Sequence, residues 1–369
     1  MKEKNTQLGI SKFSSLRNVQ RRAVNLSSVK LIQTGFISSQ QTIPFVIQPL
    51  IDGLDITEWT QNNQGLVKTL FLQHRALLFR GFKVKTTQQF QDFVKASSDG
   101  ELLTYVDRSS PRTAVAGQIY TSTVYPAEYP ILLHHELTYT IKYPLKLYFC
   151  SLKVAPYGGE TPIADARKAY QRIDEKVRNE FIEKKWMLVR NYNDGFGLPW
   201  QEVFQTDDKA KVEAYCRENS IDFSWKGGSR LQTRQIREAV HYHPQTGEPM
   251  WFNHVAFFHH TNLLSEFDEH TVPYNTYYGD GSAIAPDVIQ HINQAYQQEK
   301  VTFPWQEGDI LMLDNMSIAH GRESYKGERQ VFLAMSEPLA ERTQEEPLRW
   351  TERSCKEGFP PGKLRSFPA

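Results

Sequence analysis

The chain carries 369 residues, 40% of them apolar, which suffices for a large buried core in one elaborated domain or two ordinary ones. Its 43 basic and 42 acidic residues balance to a formal charge of +1, so the total gives no pull toward nucleic acid or an anionic membrane. Cys150, Cys216 and Cys355 are too scattered for a zinc framework and odd in number, and they read as reduced thiols.

Residues 1–16 are polar, rich in Lys, Ser and Gln, and are expected to form a flexible N-terminal tail, with residues 17–369 as a single domain. The opening Met1-Lys2-Glu3-Lys4-Asn5-Thr6 lacks the apolar segment of a secretory signal. No stretch approaches the roughly 18 apolar residues of a spanning helix. A cytoplasmic protein with neither a membrane nor a nucleic-acid partner is the expectation. Ile56 to Leu72 reads as a helix and Ala76 to Phe82 as the buried strand after it. Thr86 and Gln89 form a capping box for a short helix that turns Phe90, Phe93 and Val94 inward. Residues 107–130 read as a loop, with Ser109-Ser110-Pro111, Gly117, Pro126 and Pro130, placed where a lid over the next strand would lie.

Lys146 to Leu152 reads as a strand leading to Gly158-Gly159-Glu160-Thr161. Asp165 to Lys185 has a helical period with Ile173, Val177, Phe181 and Ile182 on one face, and a second helix covers Asp207 to Arg217. Strands are expected near Ala239–Tyr242 and Met250–Asn253, and Pro286 opens a helix carrying Ile289, Ile292 and Tyr296 inward. Strands at Asp309–Leu313 and Gln330–Met335 bracket His320. Helices are early or inserted and strands flank both halves of the motif below, so one β-domain is preferred over two domains.

The motif is Leu133-His134-His135-Glu136 with a distant His320 in Asp314-Asn315-Met316-Ser317-Ile318-Ala319-His320-Gly321-Arg322. Residues i and i+2 of a strand share a face, so His134 and Glu136 offer an imidazole and a carboxylate to one point. A folded-back His320 completes two histidines and one carboxylate, the facial triad of non-haem Fe(II) oxygenases with positions left open. Taken alone, His-x-Glu is common on solvated strands. Here Leu132, Leu133 and Leu137 flank it, and polar groups in a core-like strand need partners, of which a metal is one. His135 points to the opposite face and is expected to be structural. Arg329, nine residues after His320, is placed to hold a dicarboxylate tail through paired hydrogen bonds, and the Thr161 hydroxyl is placed to join it.

With these pieces the chain resembles the taurine dioxygenase-like superfamily of Fe(II)/2-oxoglutarate-dependent oxygenases. Within it, the chain looks like the branch that modifies amino acids for nonribosomal peptides, which includes clavaminate synthase and the syringomycin aspartate hydroxylase. The resemblance runs from Arg21-Arg22-Ala23-Val24 to Glu337-Pro338. It includes Phe79-Arg80-Gly81-Phe82, Ser110-Pro111-Arg112-Thr113, Tyr120-Thr121-Ser122-Thr123, Gly158-Gly159-Glu160-Thr161 and Asp314 through Arg322. It implies a mainly β fold with flanking helices (α+β). The core would be a double-stranded β-helix, or jelly roll, with a helical insertion over about residues 165–235 between the two halves of the metal site.

The resemblance implies His134, Glu136 and His320 as iron ligands, and Thr161 and Arg329 as contacts to the distal carboxylate of 2-oxoglutarate. Glu136 argues against halogenation, because related halogenases lose this carboxylate so that halide takes its place on iron. Two departures are His135, where close relatives often have a small amide, and Leu333, where some members carry a second arginine. The implied cofactors are Fe(II), 2-oxoglutarate and O2. The implied reaction is oxidative decarboxylation of the keto acid coupled to hydroxylation of an unactivated C–H bond. Its substrate would be an amino acid, free or tethered to a carrier protein. Desaturation or oxidative cyclisation is the alternative outcome, and a cupin-like enzyme independent of 2-oxoglutarate or a non-catalytic binding module are the more remote ones. Arg112 is read as a substrate or lid contact, with a loop salt bridge as its other reading, and Arg234, Asn253 and His254 as further pocket groups. Substrate identity and oligomeric state stay open.

Overall fold

Along Asp309–Asp314, Leu311 and Leu313 enter one apolar cluster while Ile310 and Met312 enter another, and all four are buried. Lys142–Lys153 repeats the pattern, with Leu147 and Phe149 on one side and Tyr148 and Cys150 on the other. Side chains alternate along a strand, so two opposed clusters mean a sheet covered on both faces. The computed structural model describes residues 31–104, 107, 109, 112–123, 125–192, 197–263 and 272–340. Expectations for residues 1–16, Arg21-Arg22-Ala23-Val24, Ser110-Pro111 and Cys355 lie outside the described residues.

The covered sheet runs in the order Ile32–Phe36, Phe45–Pro49, Ala76–Phe79, Asp309–Asp314, Lys142–Lys153, Gln330–Ala340, Ile119–Thr121, Ala114–Ala116. One face takes the helices Ile56–Asn62, Gln64–His74 and Thr87–Ser97 through Trp59, Phe71, Phe90 and Phe93. Burying each of these contributes about 1.5–3 kcal/mol. The other face packs on a smaller sheet ordered Lys300–Val301, Ile163–Asp165, Ile318–Arg322, Ile131–His134. Ile163, Ala164, Ile318 and Ala319 of that sheet join the cluster of Leu311 and Leu313. The mainly β architecture with flanking helices is therefore as expected: two sheets face each other, and the motif strands form one of them.

Local chemistry shifts several boundaries. The expected helix over Ile56 to Leu72 is two helices, because Asn63 (φ −130, ψ 25) leaves the helical region and its side chain donates to the Trp59 carbonyl at 2.7 Å. The strand from Ala76 stops at Phe79, since Gly81 takes φ +86. The helical period from Asp165 breaks into Ala166–Arg172 and Glu175–Lys184. Ile173 and Phe181 are buried there, whereas Ile182 is 46% exposed, contrary to the reading that turned it inward. The Thr86 cap forms, with Gln89 N–H donating to its hydroxyl at 3.2 Å, but the return bond is shifted by one residue: Gln89 Oε1 accepts from Lys85 N–H at 2.8 Å rather than from Thr86 N–H. Residues 107–130 are not all loop, because Ala114–Ala116 and Ile119–Thr121 pair as a hairpin on the edge of the large sheet.

The largest correction concerns residues 165–235. Helices alternate there with the strands Trp186–Tyr192, Asp222–Trp225 and Leu231–Arg237, which form a third sheet with Tyr274–Tyr278. The insertion is mixed rather than helical. Its central strand buries every second residue, Trp186, Leu188, Arg190 and Tyr192, and the arginine in that series hides the period of two. Cys150 and Cys216 are buried free thiols. No described helix is long and apolar enough to cross a membrane.

Candidate active site

His134 ends Ile131–His134, and His320 sits opposite it on Ile318–Arg322 in an antiparallel pairing, with ring centroids 4.4 Å apart. Glu136 lies beyond the strand, in a turn where Leu137 takes φ +58. The pleat therefore does not bring Glu136 to His134, as the i, i+2 reading required. Asn315 does. Its Oδ1 accepts from Glu136 N–H at 2.8 Å, and its Nδ2 donates to the carbonyls of Glu136 and Pro144, each at 2.9 Å. Candidate ligand atoms of His134, Glu136 and His320 end up within 4.8 Å of one another.

The electrostatics fit a divalent metal. His134 Nδ1 donates to the Leu132 carbonyl at 2.8 Å, which leaves Nε2 with its lone pair. Burial pushes the pKa of His134 below the ordinary histidine value, with Glu136 opposing, and burial with the nearby His134 and Arg112 pushes His320 well below it. Both shifts favour the neutral ring, the form that ligation requires. His320 Nδ1 is buried with no hydrogen-bond partner among the described residues, so this ring is short of one interaction that a buried imidazole normally makes. Two neutral imidazoles and a carboxylate are the donor set of an open facial site.

Beside the cluster lies a small pocket lined by Ser122, His134, Phe149, Thr161, His320 and Arg329 among others. Arg329 Nε donates to the Gly159 carbonyl at 2.8 Å and Nη1 to the Ser122 hydroxyl at 3.3 Å. Burial, with Arg322 nearby, brings its pKa down to about 10, so it stays a cation near neutrality. Thr161 Oγ1 receives Arg329 Nη2 at 3.4 Å and Trp305 Nε1 at 3.2 Å. A half-buried cation and a buried hydroxyl thus converge on one end of the pocket, where a carboxylate would be held. Leu333 supplies an apolar wall where some relatives of the resembled superfamily have arginine.

The remaining sequence candidates divide. Arg112 is buried in the site and donates to Glu136 Oε2 at 2.8 Å and to the Thr123 hydroxyl at 3.1 Å. Arg234 is not brought to the pocket: it lies on the exposed face of Leu231–Arg237 and donates to Gln232, because the strand register turns Thr233 and Gln235 inward instead. Asn253 is buried, but both ends of its amide are engaged, with the Ala239 carbonyl at 2.8 Å and Val255 N–H at 3.0 Å. His254 hydrogen-bonds Thr138 through Nδ1, stacks on Phe258 at 4.8 Å and stands 5.9 Å from the His134 ring. His135 is buried, with Nδ1 2.6 Å from the Asn315 carbonyl and Nε2 3.0 Å from the Tyr296 hydroxyl.

Sequence reading missed Asn315, Trp305 and Arg322. Arg322 donates to the carbonyls of Tyr125, Pro126 and Tyr129 at 2.7–3.0 Å, tying the end of the expected lid loop to the His320 strand. An Asp-Asn pair closing an apolar strand was a visible turn signal for Asn315, whereas nothing local marks Trp305.

A family model described as taurine catabolism dioxygenase TauD, TfdA family matches residues 40–335. The chain is 41% identical over 280 residues to the dapdiamide synthesis protein DdaC of Enterobacter agglomerans, covering 74% of this chain and 85% of that one. It is 28% identical over 311 residues to a clavaminate synthase-like protein of Arabidopsis thaliana, covering 81% and 91%. In fold it is similar to AAD-2 in complex with Mn(II) and N-oxalylglycine, with a TM-score of 0.50 at 14% identity over 84% of this chain and 98% of that one.

Proposed function

The chain belongs to the taurine catabolism dioxygenase TauD, TfdA family, and from that premise we propose that it hydroxylates an unactivated C–H bond of an amino acid or a carrier-tethered aminoacyl group. It is an Fe(II)- and 2-oxoglutarate-dependent dioxygenase that uses O2. The reaction belongs to specialised metabolism of the nonribosomal-peptide type, carried out in the cytoplasm by a single oxygenase domain with a jelly-roll core. Likeness to a dapdiamide synthesis protein and to a clavaminate synthase-like protein supports that setting.

The carrying observation is the convergence of His134, Glu136 and His320 within 4.8 Å, next to a pocket that ends in Thr161 and Arg329. We assign the first three as iron ligands and the last two as the contacts of the distal carboxylate of 2-oxoglutarate. When bound, iron couples oxidative decarboxylation of the keto acid to oxidation of the substrate. Arg329, held by Gly159 and Ser122, meets the distal carboxylate with a charge already half-buried and oriented. Phe149, Val331 and Leu333 line the same pocket with apolar surface and keep water from it. Arg322 keeps residues 125–129 at the rim, where a loop can cover bound substrate.

The test is turnover with Fe(II), 2-oxoglutarate and O2 over a panel of free and carrier-bound amino acids, following succinate and product mass. A product heavier by one oxygen, formed with stoichiometric succinate, supports hydroxylation. A product lighter by two hydrogens means desaturation or cyclisation. Substrate oxidation without succinate contradicts the 2-oxoglutarate reading.

A further inference from the structure

Arg112 meets a candidate ligand directly, through Nη2 to Glu136 Oε2 at 2.8 Å. Both side chains are 4% exposed, so the pair is desolvated and each partner is costly to leave alone. The same Nη2 reaches the Thr123 hydroxyl at 3.1 Å, which fixes the fork on the pocket wall. On its C-terminal side the mount is tied to the large sheet: Thr113 N–H donates to Thr121 Oγ1 at 3.1 Å, closing the base of the hairpin that joins it.

We propose that Arg112 is a positioning residue for the metal, holding Oε2 of Glu136 so that the carboxylate meets iron through its other oxygen alone. The proposal rests on the ligand assignment above. An octahedral ion held by two imidazoles and one carboxylate oxygen keeps three positions free. A chelating keto acid needs two of these and O2 the third. A carboxylate that swings to bind through both oxygens removes one, so occupying Oε2 protects the open position. Arginine suits this role because it cannot release its proton and offers N–H groups in a fixed plane. Partners of ligating carboxylates are a recurrent means of fixing ligand orientation, and their loss typically costs about 10–100-fold in metal affinity or activity.

Co(II), used as an optical probe, tests this on the full-length chain with the wild type and the variants Arg112→Gln, Arg112→Lys and Glu136→Ala. The readouts are the dissociation constant, the visible absorption of bound Co(II), and the melting temperature of the metal-free protein. Arg112→Gln is expected to bind Co(II) about 10–100-fold more weakly and with an altered visible spectrum, and Arg112→Lys to recover part of both. Wild-type affinity and spectrum in Arg112→Gln overturn the proposal. So does a weaker affinity with an unchanged spectrum and a lowered metal-free melting temperature, the signature of a merely structural ion pair. If Arg112→Gln does not fold, Arg112→Lys carries the test, and a wild-type spectrum and affinity there count against the planar-fork argument. Wild-type Co(II) binding by Glu136→Ala would instead remove the ligand assignment itself.

Discussion

Thr161 has two lone pairs and one proton. Trp305 Nε1 and Arg329 Nη2 both donate to its oxygen, at 3.2 and 3.4 Å, so the proton is left to point into the pocket. The hydroxyl is thereby biased to donate, which is what a carboxylate needs. Arg329→Ala should raise the concentration of 2-oxoglutarate needed for half-maximal turnover by about 10–100-fold, the cost of one charged hydrogen bond. Trp305→Phe should raise it by a smaller factor, because the hydroxyl would be freed to turn. Steady-state titrations of the keto acid check both, and an unchanged requirement in Arg329→Ala would remove Arg329 from the pocket. Thr161 and Arg329 were legible from their order around His320, whereas Arg234 was not: one step of strand register decides between buried and exposed, and register is set by Trp186–Tyr192 pairing with Leu231–Arg237.

Two strands and a turn set the proposed metal site. A Cβ on Gly321 would stand 2.6 Å from the Ile131 carbonyl, so the absence of a side chain lets Ile318–Arg322 approach Ile131–His134 beside a register shift. Gly321→Ala should push the strands apart between His320 and His134 and weaken Co(II) binding about tenfold or more. Asn315→Ala should act on the proposed third ligand, Glu136: it strips partners from Glu136 N–H and from two carbonyls, at about 1–3 kcal/mol per buried group left unpaired. Metal titration together with denaturant unfolding separates the two, since Gly321→Ala should affect binding more than stability and Asn315→Ala both. The sequence carried the strands through their apolar runs. It did not show that Glu136 leaves the strand, because a turn made by a distant asparagine has no local signature.

At the scale of the molecule, a buried network joins the parts. Asp314 accepts from Arg75 at 3.0 Å and from His243 at 2.8 Å, and its other oxygen takes Met316 and Ser317 N–H groups, each at 3.0 Å. Arg75 closes the helix Gln64–His74, His243 follows the strand Val240–Tyr242, and Asp314 begins the turn that carries Asn315. Asp314→Ala should cost about 3–5 kcal/mol in a denaturant titration, because it leaves Arg75 buried and uncompensated. Burial alone would raise the Asp314 carboxyl, yet His243, Arg75 and the backbone donors hold its pKa below the ordinary value. A depressed carboxyl stabilises the fold above its unfolded pKa of about 3.9, and that contribution is lost as pH falls through the lower folded value. The wild type should therefore lose stability in acid more steeply than Asp314→Ala.

The strands of the large sheet were readable because Leu147, Phe149, Leu311 and Leu313 lie in long apolar runs, whereas the facing second sheet was implied only by the resemblance. The third sheet was not, because Arg190, ion-paired to Asp107, takes an inward position that a sequence pattern assigns to an apolar residue. His134, Glu136 and His320 are proposed to bind iron and to leave room for a chelating keto acid held by Thr161 and Arg329. The most direct test is anaerobic addition of Fe(II) and then 2-oxoglutarate to the metal-free protein, followed by visible absorbance. The expected result is a weak charge-transfer band in the wild type that is absent in His320→Ala. Iron binding without the band, or an undiminished band in His320→Ala, would contradict the assignment.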